Sequence, residues 1–529
     1  MAPPTTRSYK QDPPEGPYDA IVIGSGIGGL AAAAILAKQA GKRTLVLERH
    51  YAPGGYTHVF RRPGYEWDVG LHYIGQVDDP QSEPRRLFDY VTDGKLAWAR
   101  MPEVYDRLVI GDRSYDIPAG RERWRAALVG HFPRAAAAVD RYLDAVEACV
   151  RAGRGYYVEK AIPRPIAAIV GPLLRARFLR YARRTTLETL RDITRDPELI
   201  AVLTGQYGDY GLPPSQSSFA VHATVVAHYL EGAAYPVGGA GRIAASLLPV
   251  IEAAGGTLRV SAVVQQILIE GGRATGVRMA DGRDLRAPIT ISDAGAFNTF
   301  CRLLPRNAAE RTGLPDRIRR IPPSLAHCCL YVGLNRTDRE LGLTGTNLWI
   351  CPGLDHDTTF ARFMRDPAAP FPVYISFPSA KDPSFATRFP GRATIEVIVS
   401  APYDWFARWA DTRWQHRGAE YEEFKARLAD RLLEQLYLQV PQVRGAVAYA
   451  ELSTPLSTRH FTGYARGEMY GLAHTPERFR MRLRSETGIR GLFLTGQDLT
   501  TVGVVGALFG GALAATAVLR RNVLKDILG

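Results

Sequence analysis

The chain has 529 residues, enough for about two to four folding units, so a minimal single-core protein is excluded. Apolar residues make up 46% and charged residues 22%, which excludes a disordered chain, and 51 glycines with no fixed period exclude a collagen-like one. The net charge of +13 is concentrated: residues 151–191 hold ten Lys/Arg against Glu159 and Glu188, and with no recognisable nucleic-acid motif the pattern favours a membrane surface over a nucleic acid.

In chain order, residues 1–17 are proline-rich and polar with no apolar signal region, so they predict a flexible lead and no export. Residues 18–48, YDAIVIGSGIGGLAAAAILAKQAGKRTLVLE, predict a strand, a glycine turn, a helix and a second strand ending in an acid. Gly24, Gly26 and Gly29 stand in GxGxxG register, which permits a tight turn, close approach of a pyrophosphate and close helix packing in turn; Ser25 and Gly28 lie between them. Glu48 is placed to accept both ribose hydroxyls of an adenosine, and a carboxylate there disfavours the 2′-phosphate of NADP. The next block, ERHYAPGGYTHVFRRPGYEWDVGLHYIG, offers a second bare backbone surface at Gly54-Gly55, with Arg49, Tyr56 and Leu71 as further candidate contacts. This block resembles the glycine-pair extension of FAD-dependent oxidoreductases, and the resemblance implies FAD. Amine oxidases commonly carry an arginine after that pair, where this chain has Tyr56.

Gly238, Gly239 and Gly241 lack a preceding apolar strand and read as a helix start, so only one nucleotide site is expected. Residues 257–295 predict a β-meander with a turn at Asp281-Gly282. In flavoproteins a backbone amide and carbonyl of such a ribbon meet the adenine, which places Val263 there. The closing stretch GLFLTGQDLTTVGVVGALFGGALAATAVLRRNVL predicts a strand, Asp498 and a glycine-punctuated helix. In this superfamily an acid so placed contacts the ribityl or pyrophosphate region, and the helix start, with Val505 and Gly506, faces the flavin pyrimidine. Residues 502–519 carry no charge and reach the length of a membrane span, but four glycines and the strand upstream favour a helix buried in protein.

GYEWDVGLHYIG, PPSQSSFAVHATVVAHYLEGAAYPVGGAGRIA, ISDAGAFNTFCRLLP, YISFPSAKDP and the C-terminal block resemble retinol saturase and its bacterial relatives, within the phytoene desaturase and carotenoid isomerase family. The resemblance runs from about residue 18 to the end. It implies an α/β fold with a discontinuous Rossmann-like FAD-binding domain of the glutathione-reductase/amine-oxidase type and an inserted α+β substrate domain. The expected division is 1–17 as lead, 18–84, 235–298 and 485–529 for FAD, and 85–234 and 299–484 for substrate. The implied activity is saturation or desaturation of carbon–carbon bonds in a long apolar isoprenoid, polyene or fatty-acyl lipid, with an external electron donor or acceptor. A flavin amine oxidase and a non-redox prenyl- or polyene-binding protein are the alternatives on the same fold.

Within residues 161–191, IAAIVGPLL precedes RARFLRYARR, a pattern that predicts a monotopic helix lying in the interface on the cytoplasmic side. Hydride transfer to a conjugated alkene needs one proton from the protein. Candidate donors are His72 and Tyr73 after the glycine pair, and His222, His228, Tyr229 and Tyr235 in the substrate-side motif. Lys381 in FPSAKDP reads as a surface turn rather than as an amine-oxidase-like lysine. The five cysteines form no metal-spaced set and the histidines no cluster, so no metal is expected, and a sparse odd count of cysteines predicts a reducing compartment.

Overall fold

A computed structural model describes residues 7–529. Two sheets organise the chain. The first has six parallel strands in the order Arg7–Ser8, Thr257–Val260, Thr44–Leu47, Ala20–Ile23, Ile289–Ser292 and Leu492–Leu494. Its central strand, Ala20–Ile23, is an unbroken apolar run because both faces are covered.

The Ile27–Ala40 helix is buried along most of its length. It packs against the Gly503–Leu519 helix, and the contact is made by backbone: a Cβ on Gly511 would lie 2.6 Å from the carbonyl oxygen of Gly28 and 2.7 Å from Cβ of Ala31. Small residues on both helices allow that approach. The charge-free C-terminal stretch is therefore a core helix, and among the described residues no helix is long and apolar enough to cross a membrane.

The second sheet has seven strands in the order Val447–Ser453, Ala326–Leu334, Ala393–Ala401, Val373–Ser376, Asn347–Cys351, Val104–Ile110 and Arg113–Pro118. It is antiparallel except where Asn347–Cys351 runs alongside Val104–Ile110. Helices Ala136–Ala161, Arg164–Ala182 and Phe219–Tyr229 join it through one apolar cluster that includes Tyr142, Phe178, Phe219 and Trp349.

Three expectations are corrected. Residues 7–17 are not a loose lead: Arg7–Ser8 pairs with Arg259 and Val260 at the sheet edge, and Tyr9 is buried beneath it. Residues 1–6 lie outside the described residues. The 257–295 meander is split, since its first and last strands join the parallel sheet and only Val264–Glu270, Arg273–Met279 and Asp284–Arg286 form an antiparallel ribbon. A strand, Ala233–Pro236, does precede Gly238 and Gly239, but it pairs antiparallel with Ile74–Gly75 and Trp98–Arg100, so no second βαβ unit results.

Candidate functional site

A cavity of about 2340 Å³ lies between the sheets. Sites for one small ligand hold about 300–1,000 Å³, so there is room for a large cofactor and a long substrate together.

One end is the glycine loop. Gly24, Gly26 and Gly28 line it, and the Ile27–Ala40 helix begins at Gly26 with no side-chain cap, so first-turn N–H groups are available to an anion. Gly29 lies behind, where a Cβ would come 2.5 Å from the carbonyl oxygen of Gly24. Glu48 is buried: Oε2 accepts from the N–H and hydroxyl of Ser25 at 2.8 and 2.7 Å, and Oε1 accepts from the N–H of His50 at 2.7 Å. Burial raises its pKa, and these donors oppose the rise. Arg49 lines the cavity and donates to the carbonyl of His460 at 3.2 Å. Val263 also lines it, with its carbonyl accepting from Ala280 at 2.9 Å.

The second glycine pair folds onto the first loop. Gly54 donates to Ser25 Oγ at 3.1 Å, and a Cβ on Gly55 would lie 3.0 Å from Cα of Gly26; both glycines have positive φ. Tyr56 packs on Gly70 and donates to the carbonyl of Glu468 at 3.0 Å, and buried Leu71 continues the wall. Opposite, the Gly503–Leu519 helix also starts without a side-chain cap, and Val505 and Gly506 line the cavity. A Cβ on Gly506 would overlap the carbonyl of Thr501 at 2.1 Å, which explains the glycine there. Asp498 lines the same wall and accepts from the N–H groups of Ala296 at 2.7 Å and Leu472 at 2.9 Å, tying two loops to the cavity.

Beyond this the cavity becomes an aromatic chamber. Tyr73 stacks on Tyr229 with ring centroids 4.4 Å apart, and Trp349 and Tyr374 lie 4.3 Å apart. His72 and His228 also line it. His72 Nδ1 is 2.8 Å from Glu396 Oε2; burial pushes the imidazole down to about 3 and Glu396 up to about 8, so neither favours a charge. His228 accepts the N–H of Gly75 at 2.9 Å, and burial pushes it down to about 4. Tyr235 lies behind the wall, its hydroxyl on Asp68. His222 is held through both ring nitrogens, by Tyr142 at 2.8 Å and Tyr210 at 3.0 Å, which makes it a core residue.

Lys381 corrects the expectation of a surface turn. It is buried, donates to the carbonyl of His72 at 3.0 Å and to Ser376 Oγ at 2.8 Å, and also bonds Asn347. Burial lowers its pKa to about 8, opposed by Glu396, Asp106 and Asp68.

Two acids escaped sequence reasoning. Asp293 follows the Ile289–Ser292 strand and lies against the glycine loop, where a Cβ on Gly26 would come 2.5 Å from its Oδ2. Burial, with repulsion from Glu48 and Asp498, pushes its pKa up to about 8. An acid closing an apolar strand, as Glu48 does, was the available signal. Asp209, in the Tyr207–Asp209 turn, reaches the chamber beside Tyr73 and carried no comparable pattern.

Residues 22–91 match the family model of the NAD(P)-binding Rossmann-like domain. The fold is shared with putrescine oxidase, at a TM-score of 0.61 and 15% identity over 95% of this chain and 99% of that one. Prolycopene isomerase of Arabidopsis thaliana is 26% identical over 97% of this chain and 84% of its own length. All-trans-retinol 13,14-reductase of Danio rerio is 37% identical over 96% of this chain and 86% of its own. With a dinucleotide-type glycine loop opening into an aromatic chamber and that identity across almost its full length, the chain belongs to the all-trans-retinol 13,14-reductase family.

Proposed function

We propose that the chain is an FAD-dependent oxidoreductase that adds two hydrogens across a carbon–carbon double bond of a long, apolar, conjugated polyene. The observation that carries this reading is the continuity of the cavity from two uncapped helix starts to a chamber walled by Tyr73, Tyr229, Tyr374 and Trp349.

The residues fit FAD. The glycine loop and the start of the Ile27–Ala40 helix would hold the pyrophosphate, Glu48 the ribose, and the start of the Gly503–Leu519 helix the pyrimidine edge of the flavin. When bound, FAD supplies the two-electron hydride chemistry. The chain's own residues do the rest. Gly54 and Gly55 let the backbone approach, and the aromatic walls exclude water and orient a flat substrate. Lys381 fixes the turn that carries His72 and is bonded behind the wall, which separates it from a lysine acting on an amine in the cavity. Conjugation is required because the alkene must spread the charge that hydride addition creates.

An apolar substrate fits delivery from a membrane. Val150, Gly153 and Val158 line the cavity, while Ile166, Ile169 and Leu173 stand out from the neighbouring helix near Arg177 and Arg180. We therefore read this helix pair as a monotopic contact with the cytoplasmic leaflet, with reducing equivalents arriving from an external donor.

The test is anaerobic. The FAD-loaded protein is reduced, all-trans-retinol or another polyene is added, and flavin absorbance and product mass are followed. Reoxidation with a product two hydrogens heavier is expected. Reduction of the oxidised flavin by amines with no turnover of polyenes, or a two-hydrogen loss from the polyene with oxidised flavin, contradicts the reading.

A further inference from the structure

Tyr73 carries one phenolic proton but stands between two carboxyls, 3.0 Å from Asp106 Oδ2 and 3.1 Å from Asp209 Oδ2. A single O–H cannot satisfy two carboxylates. Were both ionised, one oxygen would face the phenolic oxygen with no hydrogen between them, in a buried site where two negative charges repel strongly. One carboxyl must hold a proton of its own.

The surroundings decide which one. Asp106 lies behind the cavity wall and accepts from Asn347 at 2.8 Å and Gln206 at 2.5 Å in addition to Tyr73, and Lys381 is bonded to the far end of Asn347. Burial raises the pKa of Asp106, but these donors and the charge of Lys381 oppose the rise and favour the anion. The carboxyl of Asp209 has Tyr73 as its one hydrogen-bonding side chain among the described residues, and it lines the aromatic chamber with Tyr229 and Trp349. Burial and the charge of Asp106 both favour its neutral form.

Resting on the reading of the cavity as a polyene reductase, we infer that Asp209 is the catalytic acid of the reaction: it carries the extra proton, donates toward Tyr73 at rest, and delivers that proton to the alkene carbon that does not receive hydride. With a bound, reduced flavin supplying a hydride, one C–H bond would form as the π bond breaks. The freed electron pair would form the second C–H bond with the Asp209 proton as the O–H bond breaks. The alkene would thereby gain the two electrons that the hydride carries, and Asp209 would be left as a carboxylate. Tyr73 then turns its O–H to Asp209 and stabilises it until a proton returns from solvent. Tyr73 is thus a positioning residue, and its stack with Tyr229 sets the plane on which a flat polyene would rest beside the acid.

FAD-loaded wild type, Asp209→Asn, Asp209→Glu and Tyr73→Phe are compared at neutral pH. An infrared difference spectrum between wild type and Asp209→Asn is expected to contain a protonated-carboxyl band. In anaerobic single turnover with all-trans-retinol, Asp209→Asn is expected to slow reoxidation by about 10²–10⁴-fold. Flavin content and the spectral shift on adding retinol should stay unchanged, and Asp209→Glu should restore part of the rate. A carboxylate band in place of the acid overturns the assignment, as does Asp209→Asn turnover within about threefold of wild type. So does a pattern in which Tyr73→Phe alone abolishes turnover. Wild type that leaves retinol and other polyenes unreduced overturns the reading of the cavity and the role with it, whereas the preceding outcomes overturn the role alone.

Discussion

Gly511 and Gly28 meet backbone to backbone, with only 2.6 Å between the carbonyl oxygen of Gly28 and the place a Cβ on Gly511 would occupy. This contact joins the Ile27–Ala40 and Gly503–Leu519 helices, which lie near opposite ends of the chain. It is also what brings two uncapped helix starts to one cavity. Gly511→Val is expected to separate them, lowering the melting temperature and the bound flavin together, as read by thermal unfolding and absorbance of the purified protein. The cost is about 1–3 kcal/mol or more, as for overpacking of a filled core.

Glu48→Gln keeps the size of the side chain and removes the charge that would hold two ribose hydroxyls. Loss of charge-assisted bonds is expected to weaken FAD binding by about ten- to a hundredfold, or about 1.4–2.8 kcal/mol. Fluorescence titration of the apoprotein with FAD measures this. Unchanged affinity would remove Glu48 from the ribose site.

Asp293 gives the protein a pH dependence whose sign follows from its surroundings. Its carboxyl is raised to about 8 when folded, so the native chain keeps a proton that the unfolded chain releases near its ordinary pKa of about 3.9. The associated stability is complete below that ordinary value, falls as pH rises, and is lost by about 8. The acid also lies against the loop that would carry a pyrophosphate, so flavin release is expected to increase above pH 8 as the second negative charge appears. Asp293→Asn should flatten both trends, followed by released-flavin fluorescence and by thermal unfolding across the pH range.

Ile169 and Leu173 are each 81% exposed and make no core. Replacing both with Asp is expected to leave stability within about 0.5 kcal/mol per site and to weaken binding to vesicles rich in anionic lipid. Flotation or sedimentation of the holoprotein with such vesicles reads the effect, and equal binding by wild type and variant would exclude this helix as the contact.

What could be read from the amino acids was what is local. A strand, a glycine turn, a helix and an acid fall within residues 18–48, and their spacing alone describes a phosphate-binding turn. The C-terminal helix was readable as buried because glycines and a strand accompany it. The acid–lysine cluster was not readable in the same way. Asp68, Asp106, Lys381 and Glu396 come from four distant segments and meet only when the second sheet closes. Lys381 looked like a turn residue because FPSAKDP has turn chemistry; burial followed from Asn347 and Ser376 waiting on neighbouring strands. Glu396 had a faint signal, as the one charge in the apolar run ATIEVIVSA. His222 and His228 show the converse: motif context makes them donor candidates, but both ring nitrogens of His222 are held by Tyr142 and Tyr210, and Nε2 of His228 accepts the N–H of Gly75.

The proposed reaction requires a flavin dinucleotide held by the glycine loop, the glycine pair and the C-terminal helix at once. Titrating flavin-stripped, folded protein with FAD, with retained colour measured after gel filtration, tests this most directly. Uptake of one FAD per chain, largely lost in Gly26→Val, is the expected result; a folded wild type that passes through colourless would contradict it.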